Sequence, residues 1–364
     1  MKSSQCPTPP SRHRLAGLLA LALLAPLAPG PASAQTVMSW EPPFTATQPR
    51  LVEHVPAAAA SKPWVLCVVI PHIKDPYWLG INHGMVDEAR RMRVELRFYE
   101  AGGYPQLKLQ RAQIQACAAD PSVDALIVGA ISRQILTPQL RRMSARMPVI
   151  GMVNAIDDAG ISGKVGVDWS EMGRTAGAFL AAQAQGEGPP VPIAWFPGPR
   201  SVSAGVDQAF RQAIAGSRIV IRATAWGDTG KNEQRNLLQK TLDEQPDLRY
   251  VAGNAVMAEA AISVLLERGL QDRIGVVSTY FTPAVQRGIL RGRILAAPTD
   301  SPVLQGRLAV GMAVDLLEKR PTWRHIAPEV SLIDRSNIEQ VDLGLSLAPP
   351  QLIPQIRYRP GQGD

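Results

Sequence analysis

The sequence predicts an α/β protein made of two Rossmann-like lobes with parallel sheets. Apolar runs of strand length alternate with helix-length segments from residue 64 to residue 291. Such alternation is typical of parallel sheets with right-handed crossovers. The alternating segments form two series, and the chain of 364 residues is long enough for two domains.

The first series begins at the apolar strand WVLCVVI. The helix that follows it places Ile81, Met85 and Ala89 on one face. Pro105 stands in the first turn of the next helix, where proline is favoured. The predicted strands are 64–70, 94–100, 123–129 and 148–153, and the predicted helices are 77–92, 105–119 and about 133–146.

The second series repeats this pattern after a short strand that ends in GVDW. Its helices carry apolar residues at helical spacing and its strands are short apolar runs. The predicted strands are 191–198, 219–226, 250–254 and 274–280, and the predicted helices are 170–183, 205–216, 232–245, 258–269 and 283–291.

The N-terminal segment has the pattern of a secretory signal peptide. Lys2, Arg12 and Arg14 precede the apolar stretch LAGLLALALLAPLA, and ASA follows at 32–34. The stretch is too short for a membrane anchor, and no other segment reaches about 18 uninterrupted apolar residues. We therefore expect cleavage after Ala34 and an exported mature protein without direct membrane insertion.

The charge pattern argues against a nucleic-acid partner. Loss of the signal peptide lowers the formal net charge from +7 to +4, because it carries three cations and no acid. The remaining Lys and Arg residues are scattered along the chain. A nucleic-acid-binding protein is expected to show a clustered basic patch.

Two cysteines, Cys67 and Cys117, remain after the predicted cleavage, one in a strand and one in a helix. An oxidising compartment would allow them to pair, but sequence alone does not place them within bonding distance. We favour two buried thiols here and leave a disulfide open.

Aromatic and polar side chains are concentrated directly after the predicted strands. In open α/β sheets, ligands bind outside the carboxyl ends of the strands. A protein that used its rings to fill the core would spread them through strand and helix interiors, so these rings predict a ligand cage. The candidates are Asp75, Tyr77, Trp78, Tyr104, Trp169 and Tyr280, with Asp168, Trp226, Asp228 and Asn254 as a possible rim.

Each candidate also has a purely structural interpretation. Trp78 and Trp169 can pack helix starts against a sheet, and Asp168 can cap the helix that begins at Ser170. Asp300 lies near a predicted hinge, where it can be purely structural. Trp195, in the middle of a strand, is expected in the core.

The chain resembles the type I periplasmic binding proteins, the ribose-binding and LacI-like family, over about residues 61–335. The resemblance rests on the first strand with DPYW and on GVDWSEMGRTAG, GNAVMAEAA, GVVSTYFTPAVQRGI and APTDSPVLQGRLAVGMAVDLL. It implies a three-crossover hinge, which we expect near residues 167, 300 and 322. The implied organisation is a signal peptide (1–34), an N-terminal arm (35–60), lobe 1 (61–167 and 300–322), lobe 2 (168–299 and 323–345) and a C-terminal tail (346–364).

Longer stretches resemble one branch of this family, periplasmic proteins that bind trimethylamine N-oxide and act with a membrane sensor histidine kinase. These stretches include KDPYWLGINHGMVDEA, LRFYEAGGYP and LAAPTDSPVLQGRL. The resemblance implies that Trp78, Tyr104, Trp169 and Tyr280 surround the methylated nitrogen while Asp75 balances its charge. Tyr280 is expected to close the site from lobe 2 and Tyr77 to support it.

Two other function classes stay open. The chain can be the substrate-binding component of an ABC transporter for a sugar or methylated amine, or an enzyme that acts on a small amine. A LacI-type repressor is excluded by the signal peptide and the lack of an N-terminal DNA-binding helix pair.

No sequence motif predicts a catalytic site, a cofactor or a metal. His72 and His83 do not share a helical face, because only His83 lies in the predicted helix. WGDTGKN lacks the first Gly and the Ser or Thr of a phosphate-binding loop. GxSxG and HExxH are also absent from the sequence.

Overall fold

The computed structural model describes residues 34–40, 48–166 and 169–361. The predicted signal peptide, apart from Ala34, lies outside the described residues, and so does Asp168. No helix within these three ranges is long and apolar enough to cross a membrane. The described chain forms two sheets that pack against helices, which confirms the predicted α/β class.

The first lobe is built on the larger sheet, and most of its elements come from the N-terminal half. Its elements are β1 (Gln35–Ser39), β2 (Arg50–His54), β3 (Val65–Ile70), α1 (Pro76–Met92), β4 (Glu95–Glu100), α2 (Leu107–Ala119), β5 (Ala125–Val128), α3 (Thr137–Ser144), β6 (Val149–Met152), β7 (Gly163–Val165), α9 (Pro302–Leu317), β13 (His325–Ala327) and β15 (Arg357–Tyr358). Among the described residues, the strand order is β15-β4-β3-β5-β6-β7-β13-β1-β2. All pairings from β4 to β13 are parallel.

The second lobe is built on a smaller sheet. Its elements are α4 (Ser170–Gln183), β8 (Val191–Gly198), α5 (Arg200–Ile214), β9 (Ile219–Trp226), α6 (Lys231–Glu244), β10 (Tyr250–Gly253), α7 (Ala255–Glu267), β11 (Gly275–Ser278), α8 (Pro283–Leu290), β12 (Ala296–Thr299) and β14 (Ser331–Asp334). In the part of the chain that the structure describes, the order is β14-β12-β11-β10-β8-β9. Only the β12–β14 pairing in this sheet is antiparallel there. The parallel β–α units agree with the alternation read from the sequence.

Residues of the predicted N-terminal arm and C-terminal tail pair with strands of the first sheet. β1 pairs with β13 and with β2, so residues on both sides of 41–47 extend the first sheet. β15 pairs with β4 at the other edge of the same sheet. The two segments add antiparallel strands at opposite edges of the sheet, and such long-range pairing leaves no local signal in a Pro-rich sequence.

The chain passes between the lobes three times. It leaves the first sheet after β7, returns between β12 and α9, and crosses again between Ala327 and Ser331. The third crossing is later than the expected position near 322, because β13 pairs with β7 in the first sheet. Residues 323–327 therefore belong with the first lobe and not with the second.

Helices α1 and α9 cross at very short range, which fixes the start of α1 beside the hinge. A Cβ at Gly84 would lie 1.9 Å from the Val303 carbonyl oxygen, and a Cβ at Gly306 would lie 2.4 Å from that of Ile81. Real Cβ atoms cannot approach so closely, so both positions require glycine. The close approach places the first turn of α1 next to the β12–α9 hinge.

Cys67 on β3 and Cys117 on α2 form a disulfide with a Cα–Cα distance of 6.1 Å. This corrects the preference for two free thiols. The helix α2 packs against β3, and this packing brings together two residues that are 50 positions apart. Their separation along the sequence gave no sign of that proximity.

We expect the Cys67→Ala/Cys117→Ala variant to lose about 3–4 kcal/mol of unfolding free energy, because the crosslink closes a long loop in the unfolded chain. Urea unfolding with and without reductant measures the loss. The reduced wild-type protein serves as the control for the side-chain change and should unfold at nearly the same urea concentration as the variant. Two reactive thiols in unreduced, unfolded wild-type protein would contradict the pairing.

Candidate functional site

A cavity of ≈ 880 Å³ lies between the two lobes, at the carboxyl ends of their strands. Residues from both lobes line it. The structure brings all six principal candidates to its wall, namely Asp75, Tyr77, Trp78 and Tyr104 from the first lobe and Trp169 and Tyr280 from the second.

The start of α1 explains the DPYW sequence. Asp75 is the N-cap, and its Oδ1 accepts a hydrogen bond of 3.0 Å from the Tyr77 backbone N–H. Pro76 occupies the first helical position, where it is well tolerated. Tyr77 and Trp78, the two residues that follow Pro76 at the helix start, both line the cavity.

The Asp75 carboxylate also joins the two lobes. Its Oδ2 accepts a hydrogen bond of 2.6 Å from the Tyr280 hydroxyl, which comes from the loop after β11. Burial raises the pKa of the Asp75 carboxyl to about 6, against the opposing effect of the hydrogen bonds from Tyr280 and the Tyr77 amide. An acid in this position carries a negative charge at neutral pH although it is almost fully buried.

Four aromatic rings form one contact cluster around Tyr77. Its ring centroid lies 6.0 Å from Trp78, 5.3 Å from Trp169 and 5.7 Å from Tyr280, each time edge to face. Trp169 and Tyr280 are 5.6 Å apart. We call these four rings, together with Tyr104, the aromatic cage. Such rings attract cations through their quadrupoles, so the cage favours a positive group near Asp75.

Tyr77 is held by the hinge. Its hydroxyl donates a hydrogen bond of 2.9 Å to Asp300 Oδ2 and accepts one of 3.1 Å from Gln305 Nε2. Asp300 directly follows β12 and is completely buried. Its side chain therefore orients a cage ring, which is a structural role at the hinge. The Tyr77 hydroxyl is thus hydrogen-bonded to other protein groups, and the ring is the part of Tyr77 that is available to a ligand.

Trp78 is almost fully buried and packs against Gly129 after β5. A Cβ at Gly129 would lie 2.5 Å from Cη2 of the indole, so only glycine accommodates the ring there. Loss of this ring would open a large hole in the core of the first lobe. We therefore expect replacement of Trp78 by alanine to destabilise the fold.

Trp169 offers a free hydrogen-bond donor. Its indole Nε1 is buried, and no other described residue accepts a hydrogen bond from it. Tyr104 is different, because its hydroxyl lies 3.3 Å from Asn154 Nδ2, which is a donor to it. Burial raises the pKa of Tyr104 well above its usual value, so the hydroxyl stays protonated. Trp169 is thus the cage residue with an unused polar group.

The possible rim residues have other roles. Asn254 lines the cavity, but its Oδ1 caps α7 through the Met257 N–H, and its Nδ2 donates to Gln234 at 2.9 Å. Trp226 lies outside the lining, under the guanidinium of Arg200 at 4.2 Å. Asp168 lies outside the described residues.

Asp228 takes part in contacts between the lobes that the sequence did not reveal. Lys74 Nζ donates to Asp228 Oδ2 at 2.6 Å, and His72 Nε2 lies 3.3 Å from Thr229 Oγ1. Burial lowers the pKa of His72 to about 4, so its ring is neutral at pH 7. These polar residues follow β3 and β9. They therefore stand after strand ends, as the aromatic candidates do.

The site combines a carboxylate, several ring faces and one unused donor. This set suits a small cation that also carries a hydrogen-bond acceptor. Among the described residues, no group of three or more His, Cys, Asp or Glu side chains could hold a metal ion. Trp195 lies in the core, stacked on Phe210 at 3.7 Å, as the sequence predicted.

Comparisons with known proteins agree with this architecture. Residues 63–322 match the model of periplasmic binding proteins and the sugar-binding domain of the LacI family. The chain is 37% identical over 302 residues to the periplasmic protein TorT of Escherichia coli K12, covering 82% of this chain and 86% of TorT. TorT is the protein of the branch to which the sequence pointed.

Solved structures give the same result in three dimensions. Two of them are complexes of TorT with the TorS sensor domain, one without ligand and one with TMAO (trimethylamine N-oxide). Each matches this chain with a TM-score of 0.74 and 36% identity, over 80% of this chain and 99% of that chain. An ABC transporter solute-binding protein from Bradyrhizobium with bound bis-tris matches with a TM-score of 0.76 and 40% identity, over 88% of this chain and 97% of that chain.

We expect Asp300→Asn to flatten the pH dependence of stability. Burial raises the pKa of Asp300 to about 6, so between pH 4 and 6 the folded state holds a proton that the unfolded state has lost. The wild-type protein therefore loses stability as the pH rises through 6, and the variant should lose less, by on the order of 2 kcal/mol.

Denaturant unfolding at pH 4.5 and 7.5 measures this difference. The exposed Asp272, replaced by Asn, is the matched control and should keep the wild-type pH profile. An unchanged pH profile in Asp300→Asn would refute the assignment.

Proposed function

Since this chain belongs to the family of periplasmic binding proteins and LacI-type sugar-binding domains and is a homologue of TorT, we propose that it senses trimethylamine N-oxide in the periplasm. The aromatic cage binds the ligand, and the protein regulates a TorS-like membrane histidine kinase that controls trimethylamine N-oxide respiration. The observation that supports this most is the cage of Tyr77, Trp169 and Tyr280 around the Asp75 carboxylate.

The chemistry of the ligand matches the cage. Trimethylamine N-oxide has a cationic nitrogen with three methyl groups and one exposed oxide. Each ring face next to the nitrogen contributes about 0.5–2 kcal/mol, and the buried Asp75 balances its charge. The Trp169 Nε1–H is the donor for the oxide, because it has no protein acceptor among the described residues. A sugar would instead need several polar partners for its hydroxyl groups, and most polar groups in the cage are already paired.

Signalling follows from closure of the two lobes. A ligand that contacts both lobes stabilises the closed form by its difference in affinity for the closed and open forms. The contacts of Asp75 with Tyr280 and of Lys74 with Asp228 form only when the lobes meet. Binding therefore shifts the population towards the closed form, whose surface the kinase sensor domain reads.

A transport role is the second candidate, and one observation favours it. The 40%-identical Bradyrhizobium protein is an ABC transporter solute-binding protein with bound bis-tris, an amine. A transport receptor for a sugar or methylated amine would share this fold and would bind a permease in place of a kinase. Titration with ribose, and a binding assay with the kinase sensor domain, separate the two functions.

Binding without turnover, in the periplasm, completes the proposal. Cleavage after Ala34 would make Gln35, the first residue of β1, the new N terminus. The Cys67–Cys117 disulfide fits an oxidising compartment. Conversion of trimethylamine N-oxide by the purified protein would instead support an enzyme.

We expect Trp169→Phe to weaken the binding of trimethylamine N-oxide about tenfold, because it removes the N–H donor and keeps a ring. Trp169→Leu should weaken binding about 100-fold or more, because it removes both contacts. Calorimetric titration with trimethylamine N-oxide, glycine betaine and ribose measures these changes. Trp226→Phe is the control outside the cavity and should bind like the wild type. Equal affinity of all three variants would refute the cage.

We expect binding to weaken as the pH falls through about 6, where Asp75 becomes protonated. The ionised form attracts the cationic nitrogen, so affinity is highest above pH 7 and falls by at most tenfold per pH unit below 6. Asp75→Asn keeps the helix cap and should bind weakly without this pH dependence. Titrations from pH 5 to pH 8 measure it, and a pH-dependent Asp75→Asn variant would assign the effect to another group.

A further inference from the structure

A second cavity, of ≈ 450 Å³, lies on the second lobe and shares no lining residue with the cavity between the lobes. Residues of α6, α7 and α8 and of the turn after α8 form its walls. We call this cavity the basic groove. Its cationic wall residues are Lys231, Arg235, Arg287, Arg291 and Arg293, and the one carboxylate in its wall is Glu259.

The cations of the basic groove are only partly neutralised. Lys231 pairs with Glu259 at 3.1 Å. Arg235 and Arg293 pair with Glu267 and Asp272, which stand outside the groove. Arg287 and Arg291 are exposed and form no ion pair with any described residue. Four residues apart, they lie on one side of the C-terminal end of α8.

The floor of the basic groove is apolar. Val256, Ala260 and Ile262 of α7 and Ala284 of α8 line it. Leu266 stands one turn beyond Ile262 on the same face of α7, with 61% of its surface exposed. Leu266 thus extends the apolar surface beside the pocket, and the pocket combines an apolar floor with a basic rim.

The three helices of the groove all begin at the ligand site or at the contacts between the lobes. α6 begins two residues after Thr229, which contacts His72 of the first lobe. α7 is capped by Asn254 of the cavity wall, and α8 begins three residues after Tyr280. The helices that shape the groove are therefore continuous with the loops that form the ligand site.

We propose that the basic groove binds an acidic, amphipathic segment of the kinase's periplasmic sensor domain. Carboxylates of the segment pair with Arg287 and Arg291, and an apolar side chain enters the floor beside Ile262 and Leu266. Charge complementarity identifies the partner as acidic, and an apolar floor with a charged rim fits an amphipathic helix. This assignment rests on the proposed function, since it names the surface through which the protein reaches its kinase.

The test compares charge-reversed variants of the full mature protein. Arg287→Glu/Arg291→Glu should weaken binding to the purified periplasmic domain of the cognate TorS-like kinase about tenfold or more, and leave calorimetric binding of trimethylamine N-oxide unchanged. Arg287→Lys/Arg291→Lys keeps the charge and should bind within about threefold of the wild type. Arg142→Glu/Arg146→Glu is the matched control, because both are exposed arginines four residues apart on the first lobe.

The other outcomes would overturn either the role of the groove alone or the proposed function as well. Kinase-domain binding that is equal in Arg287→Glu/Arg291→Glu and the wild type overturns the role of the groove while the proposed function stands. Failure of the wild-type protein to bind the kinase domain overturns the regulatory function and this assignment with it. Groove-dependent binding to phosphatidylglycerol vesicles, without an effect on kinase binding, identifies an anionic membrane as the occupant instead.

Discussion

A single buried carboxylate has three roles in this protein: it caps a helix, it joins the two lobes, and it places a negative charge in the candidate ligand site. Asp75 caps the first long helix through one oxygen and holds Tyr280 of the other lobe through the second. The same burial that raises its pKa also makes its negative charge valuable to a cationic guest. Removal of either hydrogen bond would alter the direction of the rings and the approach of the lobes together.

The rest of the first lobe holds this carboxylate in place. The glycine crossing of α1 and α9 sets the helix start against the hinge, and Asp300 after β12 fixes Tyr77 by its hydroxyl. Gly129 makes room for the Trp78 indole. This packing holds the first-lobe part of the site, and the second lobe contributes Trp169 and Tyr280.

The sequence predicted those features that depend on neighbouring residues. Apolar runs and helical spacing predicted the alternating elements, and the position of the rings after the strands predicted that Tyr77, Trp78, Trp169 and Tyr280 would lie at one cavity. It missed contacts made across long separations, such as Lys74 with Asp228, 154 residues apart, and Tyr77 with Asp300, 223 residues apart. Such pairs arise from the meeting of two lobes, and no local pattern encodes which polar residues meet. The disulfide and the two edge strands were missed for the same reason.

The two ends of the described chain both belong to the first lobe. β1 and β2 lie at one edge of its sheet and β15 at the other, while the second lobe is attached only through the three crossings. Any tether, surface or label fused to either terminus would therefore hold the first lobe as the fixed frame. The second lobe, with its basic groove, would then be the domain that swings, and distances measured from either terminus to it would report ligand-driven closure without a probe inside the cleft.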